Sequence, residues 1–408
     1  MLTVLLCCLK LRKLGEEMQT EIKFRWLLLG SFLVNVGNSF IWPLTTVYIH
    51  DQLHQSLTVS GIVLLFYSGT NVIGSYVGGR LFDKYSPQWL TLGGIVAAVI
   101  FMGVLVFKND WPTYPIMLAL IGIVNGWLMT MHNSYGARMH SRDGRFVFNM
   151  LYFANNLGMV FGTTIVGPLY QYAHDNVGPL FLVTVVIYAA FSLVVIKFYQ
   201  IAVIKRPQHE EKLVKLPRAN SQLIWTMSGA LLVIWMMYSQ WSSNMSVYIT
   251  GHGVSMTSYS LLWTINGLLI VVLQMAINWL NRRMNNDHLY LYFGTAMLGL
   301  SFLILPFAKG YGAFVFSMVV LTLGEATAIP TIPALVNQLC PMEDKGRYQG
   351  IVNSFGSAGK ALGPLFGGLV IERFSYQPLF YVCTLAILGA GLVSWLMIEK
   401  NHRQAEYY

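Results

Sequence analysis

Apolar positions along this chain come in long runs broken by short polar stretches, beginning near residue 24 and recurring almost to the C-terminus. Each run is about 18–25 residues, enough for a helix rising about 1.5 Å per residue to cross about 30 Å of hydrocarbon. The breaks predict spans over 24–47, 58–82, 89–107, 113–136, 146–171 and 178–200. After a polar link, six more are predicted over 220–243, 258–280, 289–308, 312–336, 347–371 and 376–398. A membrane β-barrel would alternate apolar and polar residues over segments of about ten, and no such segment occurs. The pattern therefore predicts an all-α polytopic membrane protein with about twelve transmembrane helices.

Composition strengthens this reading. The chain is 55% hydrophobic and 11% charged, with a mean hydropathy of +0.55, whereas soluble domains carry about 25% charge. The net charge of +9 is explained by placement. An even number of spans puts both termini on one side, and basic residues mark the cytoplasmic side. With cytoplasmic termini, inner segments collect 22 of the 26 Lys and Arg. Outer loops hold Lys108, Lys309 and Arg373, and Lys360 lies inside a span. The expected division is a cytoplasmic extension over 1–23, six-helix bundles over 24–200 and 220–398, a cytoplasmic linker over 201–219, and a tail over 399–408. The expected location is the cell membrane, and the basic balance needs no nucleic acid. Residues 1–13 place their charge after a short apolar run, and no small-residue cleavage site follows. That is the reverse of a signal peptide. Cys7, Cys8, Cys340 and Cys383 show no metal-ligand or disulfide spacing.

The two halves echo each other. Asp143-Gly-Arg-Phe146 opens the fifth span and Lys345-Gly-Arg-Tyr348 the eleventh. Gly158-x-x-x-Gly162 is matched by Gly359-x-x-x-Gly363, and Gly167-Pro168 by Gly363-Pro364, though out of strict register. Pro179-Leu-Phe181 opens the sixth span and Pro378-Leu-Phe380 the twelfth. Matches in one order point to duplication. On these residues the chain resembles the major facilitator superfamily, and specifically its drug–proton antiporters. Gly79-Arg-Leu-Phe-Asp83-Lys84 is similar to the first part of that family's motif after helix 2, but Ser86, Pro87 and Gln88 replace the rest. The resemblance implies two pseudo-symmetric six-helix bundles and alternating access. It also implies a gating role for Gly79, Asp83 and Lys84, with Arg145 and Arg347 at the matching helix starts. The glycines and prolines at 158, 162, 167, 168, 359, 363 and 364 permit close, bent helix packing.

Candidate chemistry is sparse. No Ser-His-Asp set, HExxH, phosphate loop or CxxC occurs, so no enzyme activity and no cofactor are expected. Glu325 lies midway along the tenth span. Insertion scales charge roughly 2.5–3.5 kcal/mol for such a residue, which makes it a functional candidate. Low dielectric favours its protonated form, so it is a candidate proton carrier. Lys360 reaches similar depth, and a Glu325–Lys360 pair would oppose proton uptake or act as a switch. His132 is a further proton site or a hydrogen-bonded core histidine. The resemblance implies a cavity lined by helices 1, 4, 7 and 10. These carry Asn35, Asn38, Trp42, Asn125, Trp127, Trp235, Tyr238, Gln240 and Trp241. Amides and aromatics hold flat apolar groups loosely, although the same amides also serve as helix–helix glue. The expected function is proton-coupled efflux of amphipathic or cationic small molecules. The expected partners are substrate, protons and lipid, and the expected working unit is a monomer. The alternative is a facilitator or symporter for a specific small neutral metabolite.

Overall fold

The structure is a computed structural model that describes residues 21–82, 84–139, 141–142, 144–174, 176–201, 216–281, 287–340 and 345–406. Every regular element among them is helical. The first half contains α1 (Phe24–Asn38), α2 (Trp42–Val47) with a π turn at Tyr48–Gln52, α3 (Leu57–Phe82), α4 (Pro87–Phe107), α5 (Thr113–Ala137), α6 (Gly144–Tyr172) and α7 (Gly178–Phe198). The second contains α8 (Arg218–Ser242), α9 (Asn244–Gly251), α10 (Met256–Asn281), α11 (Asp287–Ile304), α12 (Tyr311–Leu339), α13 (Lys345–Phe374) and α14 (Tyr376–Glu406). Among the described residues, nine spans are long and apolar enough to cross a membrane, counting α8 and α9 as one. The first, fifth and eleventh predicted spans are helical but more polar: α1–α2 is interrupted, α6 carries Asn149, Asn155 and Asn156, and α13 carries Lys360.

One predicted continuous helix is broken, and the seventh span breaks at its predicted end and then runs on as a further short helix. The first stops after Asn38 and restarts at Trp42. Gly37 and Asn38 are poor helix formers, and Pro43 suits the first turn of a new helix. The seventh is interrupted at Ser243. There hydroxyls take over backbone carbonyls: Ser243 Oγ donates to Ser239 O at 2.7 Å and Ser246 Oγ to Ser243 O at 2.5 Å.

Chain contacts define two compact units. The first comprises Met1–Asn38, Thr70–Met159 and Gly178–Gln208; the second comprises Ser39–Gly69, Val160–Val177 and His209–Tyr408. This division cuts through α3 and α6, unlike the expected bundles over 24–200 and 220–398. The reason is visible in the second unit. A Cβ added at Gly61 of α3 would sit 2.5 Å from Leu365 Cα, and one at Gly167 of α6 would sit 2.6 Å from Thr257 Cα. Glu372 at the end of α13 accepts from Thr58 N–H at 2.8 Å and Thr58 Oγ1–H at 2.6 Å.

Within the first unit, Trp26 stacks on Phe198 at 3.9 Å, Tyr188 Oη donates to Val34 O at 3.2 Å, and Trp127 Nε1 donates to Leu90 O at 3.0 Å. Within the second, Gly356, Gly359, Gly363 and Gly367 fall on one face of α13. A Cβ at Gly359 would collide with Leu232 O, and one at Gly363 with Ser239 Oγ and Met236 O. α8 and α13 therefore touch backbone to backbone, which only glycine allows at these positions.

Candidate functional site

The site grows from α12. Pro330 has no N–H, so the Ala326 carbonyl loses its helical donor. Gln274 of α10 supplies one instead, with Nε2 donating to Ala326 O at 3.2 Å. Pro333 likewise leaves α12 irregular, and its own carbonyl accepts Gln349 Nε2 at 2.7 Å. Residues Trp263, Asn266, Ile270 and Gln274 lie at helical spacing along one face of α10. That face meets α12 at Thr322, Glu325 and Ala326.

Glu325 is half-buried, and two donors converge on its Oε2. Tyr238 Oη from α8 donates at 2.8 Å, and Asn266 Nδ2 from α10 also at 2.8 Å. Asn266 Nδ2 further donates to Thr322 Oγ1 at 2.9 Å. Hydrogen bonds to a charged group contribute about 1.5–3 kcal/mol each, so these donors hold the carboxylate firmly. The Tyr238 ring meets Trp235 edge-on at 5.1 Å and Trp263 at 6.3 Å. Trp263 is fixed in turn, with Nε1 donating to Tyr259 Oη at 3.1 Å and Tyr259 Oη to Trp241 O at 2.7 Å.

Lys360 of α13 is exposed, and its Nζ sits 3.6 Å from the Trp235 ring centroid. It makes no direct ion pair with Glu325; the opposite charges attract at longer range. In place of an ion pair, the ammonium makes a cation–π contact. Such contacts contribute about 0.5–1 kcal/mol at exposed sites.

The other predicted residues fall elsewhere. Gln240 is fully buried, with Nε2 donating to Gly363 O at 2.7 Å and to Met236 O at 3.0 Å. Its Oε1 accepts Asn244 Nδ2 at 2.7 Å. Gln240 therefore ties the broken seventh span to α13, and the fully buried Trp241 supplies the carbonyl that Tyr259 caps. His132 is buried in the first unit beside Phe191 at 5.8 Å and Tyr199 at 6.3 Å. Its Nδ1 lies 2.8 Å from Leu128 O, and Nε2 has no hydrogen-bond partner. This is an aromatic core position, in keeping with the second of the two expected roles. Trp127 ties α5 to α4. Asn35 Nδ2 donates to Asn155 Oδ1 at 2.7 Å, Ser31 Oγ to the same atom at 2.5 Å, and Asn125 Nδ2 to Asn38 Oδ1 at 2.8 Å. These amides link α1 to α5 and α6. Gly158 packs on Phe32 O of α1, 2.5 Å from an added Cβ, and Gly162 is buried. Pro168 and Pro364 both lie inside helices. Gly79 lies near the end of α3 and Lys84 just beyond it, exposed. Asp83 lies outside the described residues, as do the side chains of Trp42, Arg145 and Arg347.

Sequence reasoning missed Asn266 and Trp263. The available signal was an amide interrupting Leu-Leu-Trp-Thr-Ile-Asn266-Gly-Leu-Leu-Ile, since intramembrane polar residues are functional candidates by default. Among the described residues, no group of three or more His, Cys, Asp or Glu is placed to hold a metal ion.

The sequence pattern of the Major Facilitator Superfamily matches residues 27–291 and 252–406. The chain belongs to this superfamily. It is therefore a multi-pass membrane transporter of the major facilitator type. Over 93% of its length and 96% of the relative's, it is 32% identical to the uncharacterized MFS-type transporter YttB of Bacillus subtilis (strain 168). It is 21% identical to the multidrug resistance protein MdtG of Rahnella sp. (strain Y9602), covering 92% and 93% of the two chains. The fold is similar to that of a POT family transporter crystallised with 5-aminolevulinic acid. That match has a TM-score of 0.79 at 13% identity and covers 93% and 96% of the two chains.

Proposed function

We propose that this transporter exports amphipathic organic cations in exchange for protons, with Glu325 as the shared carrier. The observation behind this reading is one carboxylate held by Tyr238 and Asn266 among Trp235, Trp263 and the Lys360 ammonium. A single acid in low dielectric is costly when charged and unpartnered. It is neutralised either by a proton or by a cationic substrate, and not favourably by both. Competition between the two cargoes yields exchange as access alternates. The multidrug resistance relative MdtG accords with this reading. Both termini face the cytoplasm, the cell membrane is the site of action, and the monomer is the working unit.

The test is dye efflux from vesicles with an imposed pH gradient. Wild type should drive efflux, and Glu325→Gln should insert normally but lose it. Full activity in that variant overturns the proton role. The second reading, a carrier for one small neutral metabolite, draws on the uncharged amide cluster of Asn35, Asn38, Asn125 and Asn155. Saturable uptake of a single solute, indifferent to cationic dyes, would favour it.

A further inference from the structure

Lys360 is an unusual intramembrane lysine because its ammonium has settled on a ring. Among the described residues, Nζ makes neither a hydrogen bond nor an ion pair, and its contact is the Trp235 face, 3.6 Å from the centroid. Trp235 is held in place from the other helix, where a Cβ at Gly356 would lie 3.1 Å from Cδ1 and 3.3 Å from Nε1. Tyr238 packs against the same indole at 5.1 Å and 78° and carries its hydroxyl to Glu325. Both donors to Glu325 reach Oε2, and Oε1 accepts no hydrogen bond. An aromatic face with an ammonium on it, and beside it, through Tyr238, a carboxylate oxygen that accepts no hydrogen bond among the described residues, describe a cation site with a cation already in it.

We propose that Trp235, Tyr238 and Glu325 form a binding site for organic cations, and that the Lys360 ammonium is its tethered occupant, displaced when substrate enters. This rests on the exporter reading and adds a specificity rule. A substrate must outcompete a primary ammonium that is covalently held nearby. Lipophilic onium ions meet that condition because they gain the ring face and lose little hydration. Small, strongly hydrated cations do not. The lysine also keeps the acid from standing uncompensated when the site is otherwise empty.

The experiment measures equilibrium binding of tetraphenylphosphonium to the purified, detergent-solubilised full chain by scintillation proximity. It compares wild type, Lys360→Met, Trp235→Leu, the double variant, and Lys309→Met, which removes an exposed charge elsewhere. Circular dichroism confirms that each variant is folded. Lys360→Met should bind about two- to fivefold tighter, the scale of one cation–π contact at an exposed site. Trp235→Leu should weaken binding, and in that background Lys360→Met should give little further gain. Lys309→Met should match wild type. Weaker or unchanged binding in Lys360→Met overturns the tethered occupant. So does an equal gain with and without Trp235, which would mean simple charge repulsion. If no variant binds the cation at all, the exporter reading fails as well.

Discussion

The two halves of this transporter descend from one pattern but hold different chemistry. In the first, amides and hydroxyls bond to one another across helices: Ser31, Asn35 and Asn155 join α1 to α6, and Asn38 and Asn125 join α1 to α5. In the second, the helices carry Glu325 under two donors, with Lys360 on a neighbouring ring. A neutral amide network fixes geometry and costs little to keep. A carboxylate and an ammonium can change charge or partner, which is why the proposed exchange is assigned to them. Among the described residues, it is the second half that sets a carboxylate and an ammonium on neighbouring helices.

The sharpest way to break this contrast is to neutralise each half. Glu325→Gln should lower gradient-driven efflux by about 100-fold or more, the scale of losing a charged group from a low-dielectric site. Asn155→Leu should stay within about tenfold, since a typical intramolecular hydrogen bond contributes about 0.5–1.5 kcal/mol. Initial rates in vesicles compare the two, and equal losses would erase the contrast. Next come Tyr238→Phe and Asn266→Leu. Each removes one donor to a charged oxygen, worth about 1.5–3 kcal/mol, so efflux should fall about 10- to 100-fold. Packing should show no such asymmetry. Gly126→Leu drives a side chain into Asn71 O of the first half, and Gly363→Leu drives one into Met236 O of the second. Each should lower the thermal midpoint by about 1–4 °C in a dye-based melt, given about 1–3 kcal/mol for overpacking.

The smallest effect concerns Glu372, just beyond the eleventh predicted span. Burial is the largest single influence and raises its pKa, but hydrogen bonds from Thr58 O–H and N–H and from Ser56, with the charge of His50, together outweigh it and lower the pKa from the ordinary carboxylate value. Its contribution is therefore present above the ordinary value and is lost as pH falls through the lowered one. The group is exposed, so removing it should shift the melt by only about 1–2 °C at neutral pH. Glu372→Gln should flatten the acid limb of the stability profile, and an unchanged limb would deny the contact any role.

The helices were legible because a bilayer demands long apolar runs, and the repeat was legible because glycines and prolines recur in order. The break in the first span was not, because Phe40 and Ile41 keep that interruption apolar. The seventh helix ends where predicted, but the short helix over Asn244–Gly251 that follows it was not foreseen. Glu325, Trp235, Tyr238 and Lys360 were found from sequence because charge and aromatic rings at that depth stand out. Asn266 was passed over because its importance depends on which face of α10 turns toward α12, a matter of tertiary rotation. Gln240 and Trp241 were assigned to the cavity for the converse reason. They sit within three residues of Tyr238, but one turn of helix carries them round to α13 and α10.

The Gln274 bond to Ala326 has a mechanical meaning. The residue immediately after the acid is held by a neighbour's side chain where its own helix has no donor to offer. Sliding α10 along α12 by a fraction of a turn would withdraw that prop and, through Asn266 on the same face, one of the two donors on the acid. The carboxylate is mounted on a joint: the donors around it depend on how two helices are aligned.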